Sequence, residues 1–220
     1  MKFKNVLLLV LAMVSFSFAQ VDSLWERTAE DGTLPSWFDT GHLTRGFAYG
    51  NVGGNDRLYV VSRNGGNNVY IMDALTGADV GSLSTVGVSG GTYHISDIDV
   101  SDDGVIFMCN LTTNSSTSAL KVYRWDSESE DPTVAINWTG GTSFRLGDKM
   151  SVSGSVADNS AYINFAASNA DTLVGFSTAD NGTNWDAALW YVGLTGGSAD
   201  ASTTPDGGAW YNATGINPVR

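Results

Sequence analysis

Cysteine is all but missing from this chain. Cys109 stands alone in 220 residues, so no intramolecular disulfide framework can hold the fold together. Positive charge is scarce as well: 11 Lys and Arg face 23 Asp and Glu, giving a formal net charge of −12. A surface of that sign repels nucleic acid phosphates and anionic membranes, which argues against both as partners. Histidine occurs only as His42 and His94, without the His-x-x-x-His spacing of a zinc site. Each is read as a loop residue lacking the orienting partner that a catalytic histidine needs. Helical periodicity is missing beyond the N-terminus, and no later segment is apolar enough to span a bilayer.

The N-terminus itself has the order of a secretion signal. Lys2 and Lys4 precede an unbroken apolar run from Val6 to Val14, and Ser17-Phe18-Ala19 places small residues at both recognition positions of signal peptidase. Cleavage is expected between Ala19 and Gln20, making residues 1–19 a signal peptide. The run is shorter than the ~20 residues of a membrane span; an uncleaved anchor is the alternative. No cysteine lies near the cleavage point, which excludes a bacterial lipoprotein anchor. Removing Lys2 and Lys4 leaves nine basic residues against 23 acidic ones and moves the net charge from −12 to −14. The expected location is secreted or cell-surface, with no membrane insertion after cleavage. About 200 mature residues suffice for a sizeable core without disulfides.

What is abundant is Gly, Ser, Thr, Asn and Asp, set between short apolar runs. A polar segment, 20–43, precedes the first repeat. Thr44–Tyr49, Arg57–Arg63, Asn68–Asp73 and Asp79–Leu83 read as four strands separated by turn residues. A second set follows in Ile95–Val100, Val105–Leu111, Leu120–Trp125 and Thr133–Trp138. A third, weaker set comprises Lys149–Val156, Ala161–Ala166 and Thr172–Ser177. Leu58, Val105 and Ala161 taken as equivalents lie 47 and 56 residues apart, near the ~40–50-residue period of propeller blades. The expected fold is all-β, a propeller-like array of about three four-stranded antiparallel blades over residues 44–220. Ser101-Asp102-Asp103-Gly104 and Ala157-Asp158-Asn159-Ser160 are the expected turns between first and second strands, Gly supplying positive φ. Since propellers close with at least ~4 blades, the array is expected to be incomplete and the chain truncated at its C-terminus. Self-association is one alternative, and an all-β fold other than a propeller is the other.

Two resemblances arise from these residues. Leu58–Arg63 followed by Val69-Tyr70-Ile71-Met72-Asp73-Ala74-Leu75-Thr76-Gly77 resembles one repeat of quinoprotein-type bacterial propellers. The aromatic docking residue of that pattern is missing after Thr76-Gly77, where Asp79-Val80-Gly81 stands, so a bound quinone is not implied. Leu24-Trp25-Glu26-Arg27-Thr28, Leu43–Gly50, Val100–Ile106 and Lys121–Asp126 together are similar to a family of secreted bacterial proteins of unknown function. Its members often carry a C-terminal sorting domain for outer-membrane secretion. This resemblance implies export and a propeller-like body, and it brings no catalytic residues.

The densest acidic cluster is Asp97, Asp99, Asp102 and Asp103. Close-set carboxylates suit calcium, though the EF-hand spacing is absent; turn and strand roles are the structural alternative, with Asp97 and Asp99 on one face of a strand. Calcium is the one cofactor considered. Cys109 sits in a strand-like run and is read as a buried structural thiol, having no activating base nearby in sequence. The adjacent aromatic pairs Trp37-Phe38, Trp190-Tyr191 and Trp210-Tyr211, flanked by Gly, Ser, Asp or Asn, suit sugar stacking, or else fill blade interfaces. Trp190, Tyr191, Trp210 and Tyr211 are the ligand-binding candidates. The expected function is a secreted or surface binding and scaffold module for a glycan or another surface polymer. Alternatives are an extracellular propeller enzyme acting on polysaccharide through paired carboxylates, and a structural repeat of a larger surface protein.

Overall fold

The structure is a computed structural model that describes residues 23–39, 41–170 and 172–191. The expected signal peptide, residues 1–19, therefore lies outside the described residues. Among those that are described, twelve strands form three four-stranded antiparallel sheets and no helix. The first blade contains β1 (Thr44–Val52), β2 (Asn55–Ser62), β3 (Asn68–Asp73) and β4 (Asp79–Ser82). The second contains β5 (Tyr93–Val100), β6 (Ile106–Leu111), β7 (Leu120–Trp125) and β8 (Thr133–Trp138). The third contains β9 (Met150–Ser153), β10 (Tyr162–Ala166), β11 (Thr172–Ser177) and β12 (Asp186–Tyr191). Each is a simple meander whose strands pair in chain order. None closes into a barrel, and the arrangement is propeller-like and incomplete. β12 completes the third blade by pairing with β11 from Thr172↔Tyr191 to Ser177↔Asp186.

The period-2 alternation of the strands explains why the sheets stack. Blade 2 is buried on both faces. Ile106, Met108, Tyr123 and Trp125 join Tyr59, Val61, Val69 and Ile71 of blade 1 in one core. The intervening residues Phe107, Cys109, Leu120 and Val122 join Ile163, Phe165, Val174 and Phe176 of blade 3 in the other. Every residue of β6 is buried for this reason, whereas β4 is exposed throughout. Burying a large apolar side chain is worth about 1.5–3 kcal/mol, and these two cores are where the apolar runs seen in the sequence are used. Polar ties reinforce the first seam: Trp125 Nε1 donates to Ser84 O at 3.0 Å, and Tyr59 Oη donates to Glu128 Oε1 at 2.7 Å.

The innermost strands β1, β5 and β9 lie side by side, so equivalent positions of successive blades meet. Between blades 1 and 2 the backbones touch. A Cβ on Gly46 would sit 2.6 Å from Asp97 Cα, and one on Gly50 would sit 2.5 Å from Val100 Cγ1. Between blades 2 and 3 the gap is bridged by carboxylates. Asp97 accepts from Met150 N at 2.7 Å, Asp99 from Val152 N at 2.7 Å and Asp103 from Val156 N at 3.1 Å, all at a sequence separation of 53. Asp103 also accepts from Ala157 N at 2.9 Å.

The segment before β1 is more than a polar lead-in. It runs as a strap over the face of blade 1 turned away from blade 2. Trp37 stacks on Tyr70 with ring centroids 4.4 Å apart, and its carbonyl accepts from Ser62 Oγ at 3.0 Å. Trp25 Nε1 donates to Ala74 O at 2.8 Å, and its ring covers Gly77. Trp25, 49 residues before Ala74, thus covers the Thr76-Gly77 turn from outside the four strands of the blade.

Candidate functional site

Among the described residues, a concavity lies between the strap and blade 1. The strap contributes Trp25, Leu34, Pro35, Trp37 and Phe38, and the blade contributes Phe47, Leu58, Val60 and Met72. The blade residues share a face because Phe47 pairs with Val60, and Leu58 with Met72, across adjacent strands. The cleft encloses about 520 Å³, within the range of small-molecule sites. Phe47 is 67% exposed and Phe38 45% exposed, so two rings remain available at its edge. Polar groups are few: Arg27, Asp39, Thr44 and Arg45. Arg27 is held by Asp79, with Nη1–Oδ1 at 2.8 Å, and Thr44 Oγ1 accepts from Asp39 N at 3.0 Å. Aromatic walls with a few fixed polar groups can stack on the apolar face of a ring and hydrogen-bond its edge.

The acidic cluster is divided among different tasks. Asp97, 3% exposed, carries a carboxyl pushed up to about 6 by burial, with Lys149 Nζ at 3.6 Å acting in the opposite direction. Burial pushes the Asp103 carboxyl up, but hydrogen bonds from the Ser101 hydroxyl and the N–H groups of Ala157 and Val156 outweigh it and hold the group below its ordinary range. Asp99 faces β9, and Asp102 donates its own N–H to Gly154 O at 2.8 Å. Asp97, Asp99 and Asp103 therefore face blade 3 as a row of backbone acceptors. Among the described residues no group of three or more His, Cys, Asp or Glu side chains is placed to hold a metal ion.

Of the aromatic candidates, Trp210 and Tyr211 lie outside the described residues, as do the side chains of Trp190 and Tyr191 on β12. Trp37-Phe38, singled out in the sequence as a pair, falls in the cleft; Trp25 and Phe47 carried no signal of their own. Cys109 is buried with Sγ 3.8 Å from Gly147 O, and burial pushes its thiol well up. His94 Nδ1 lies 3.1 Å from Asn67 Nδ2, and His42 adopts φ 65° in a turn. Gly87-Val88-Ser89-Gly90-Gly91 has the spacing of a nucleophile elbow. Its serine, however, sits in the loop between β4 and β5, where Ser89 N donates to Tyr123 Oη at 2.8 Å and no helix follows.

Three four-stranded sheets stacked through their innermost strands, with an aromatic cleft on the first, define the class: an all-β, propeller-like protein. The chain belongs to the DUF4623 family, described as a domain of unknown function, whose model matches residues 18–195. A DUF4623 family protein from Bacteroides eggerthii DSM 20697 has a solved structure that is 21% identical in sequence, with a TM-score of 0.54. The match covers 68% of this chain and 35% of that one, so the present chain spans about a third of the relative's length. That likeness is one of fold. No curated protein matches the chain.

Proposed function

We propose that this protein is an exported, propeller-like binding module that takes a carbohydrate in the cleft between the strap and blade 1. The observation that carries the reading is the cleft itself, with Trp25, Trp37, Phe38 and Phe47 around about 520 Å³ and polar groups only at its margin. Sugar rings present one apolar face and a hydroxylated edge, which this distribution matches. Export is supported by Lys2, Lys4 and the apolar run Val6–Val14. Delivery to the cell surface through a sorting module belongs to the same proposal.

The test is calorimetric titration with a panel of neutral oligosaccharides. Saturable binding without product is expected, weakened about two- to tenfold in Phe38→Ala or Phe47→Ala, since stacking on one ring is worth about 0.5–1.5 kcal/mol. Both rings are substantially exposed, so the fold tolerates their loss. Failure of the whole panel to bind, or binding unaffected by either change, overturns the reading. Loss of binding in Trp190→Ala or Trp210→Ala instead moves the site to those residues.

A further inference from the structure

Only nine basic residues follow Ala19, and four of them converge at one place. Arg45 lies at the start of β1, Arg63 directly follows β2, and Arg145 and Lys149 lie in the segment leading into β9. Tyr93 begins β5. Because β1, β5 and β9 are the innermost strands and Thr44 pairs with Ser62, all these residues occupy one axial mouth of the array. Both β1 and β5 break register there, between Thr44 and Phe47 and between Tyr93 and Asp97. Bulges of this kind re-aim side chains at the rims of sites.

The charges at this mouth do not cancel. Lys149 is matched by Asp97 at 3.6 Å. Arg145 grips Asp148 through Nε–Oδ2 at 2.6 Å and Nη2–Oδ1 at 2.7 Å, while Arg45 Nη2 stands 3.9 Å from the same carboxylate. Arg63 has no carboxylate of its own. Its guanidinium lies over the Tyr93 ring, 4.0 Å from the centroid, and its buried Nε has no hydrogen-bond partner. Arg45, Arg63 and Arg145 thus face one carboxylate, in a protein whose net charge is −12. A buried guanidinium N–H left without an acceptor is costly, and an oxyanion is the chemistry that removes the cost. Ser96, 1% exposed in the β5 bulge, holds a second unpartnered polar atom in its hydroxyl.

We infer that this axial mouth is an oxyanion site, in which Arg45, Arg63 and Arg145 around Tyr93 hold the carboxylate of a small acid or of a single acidic sugar. The long-range field of the acidic chain disfavours an extended polyanion, so the ligand is small. The inference does not depend on the cleft under the strap, although Arg45 borders both.

The experiment titrates the full chain with glucuronate, glucose and inorganic sulfate, using calorimetry and the arginine Nε–H resonances. Glucuronate is expected to bind saturably, to shift the Arg63 Nε–H signal and to weaken with salt. Arg63→Gln should weaken it at least about tenfold, while Arg124→Gln, at the opposite end of blade 2, leaves it unchanged. Glucose should leave the Arg63 signal in place. Competition by sulfate supports a general oxyanion site, and its absence supports one selective for carboxylate. Should Arg63→Gln not fold, the wild-type Arg63 signal decides alone. No binding of glucuronate or sulfate at millimolar concentration, or binding that leaves that signal unmoved, overturns the inference.

Discussion

The two seams between blades solve the same problem with opposite materials. Blade 1 meets blade 2 by subtraction: Gly46 and Gly50 remove side chains so that β1 can lie against Asp97 and Val100 of β5. Blade 2 meets blade 3 by addition, with Asp97, Asp99 and Asp103 reaching across to the N–H groups of Met150, Val152, Val156 and Ala157. Apolar cores lie beneath both seams, so the difference concerns the axis rather than the bulk of the blade. A glycine contact is close and indifferent to pH, but it tolerates no added atoms. A carboxylate contact spans a wider gap and fixes register through paired groups, but it carries charge into a buried place.

The comparison breaks most completely at Gly46. A side chain there would meet Asp97 Cα at 2.6 Å and Ile98 N at 2.9 Å, backbone atoms that cannot move alone. Gly46→Val should cost about 4 kcal/mol or more, read as loss of a cooperative thermal transition; a variant melting like wild type would show that the seam can open freely. A smaller effect, of up to about 3 kcal/mol, separates Asp97 from its amide. The folded carboxyl titrates at about 6 against an ordinary 3.8, so the folded state binds the proton more tightly. This group's contribution therefore falls as pH rises from about 4, and the loss is complete above about 6. Asp97→Asn keeps an oxygen for Met150 N and loses the charge. Its stability relative to wild type should rise across that window in denaturant titrations. A flat difference would mean that Lys149 fully offsets the burial. Smallest and most local are Asp99→Ala and Asp103→Ala, each costing about 1–2 kcal/mol. Hydrogen exchange should quicken at Val152 in the first and at Val156 and Ala157 in the second, with β1 amides unchanged.

Much of the architecture could be read from the chain because its strands are β-branched and aromatic runs ended by turn residues. Asn68–Asp73, Leu120–Trp125, Thr133–Trp138 and Thr172–Ser177 coincide with β3, β7, β8 and β11. β12 was not among the expected strands, since Asp-Ala-Ala-Leu-Trp-Tyr contains no β-branched residue. The strap was legible only as a polar segment. Its Trp25 and Trp37 make contacts at Ala74, Gly77 and Tyr70 that no local periodicity encodes. For the aspartates, Asp97 and Asp99 could be placed on one face, and the turn around Gly104 (φ 85°) was correctly located. What they bind could not be read, because a backbone N–H carries no residue signature. The oxyanion mouth was hidden for a related reason: an acidic total conceals a local cationic excess assembled from Arg45, Arg63 and Arg145, which are far apart in the chain.

The constant spacing of 53 between each aspartate and its amide gives the second seam a directional grammar. All the information that specifies the ladder is written in blade 2, while blade 3 answers with groups that every residue except proline possesses. Changes at positions 150, 152 and 156 are read by the core but not by the ladder. A blade ending in such a row could thus accept a differently sequenced successor without matching substitutions, so that length and inner-face chemistry evolve separately along the array.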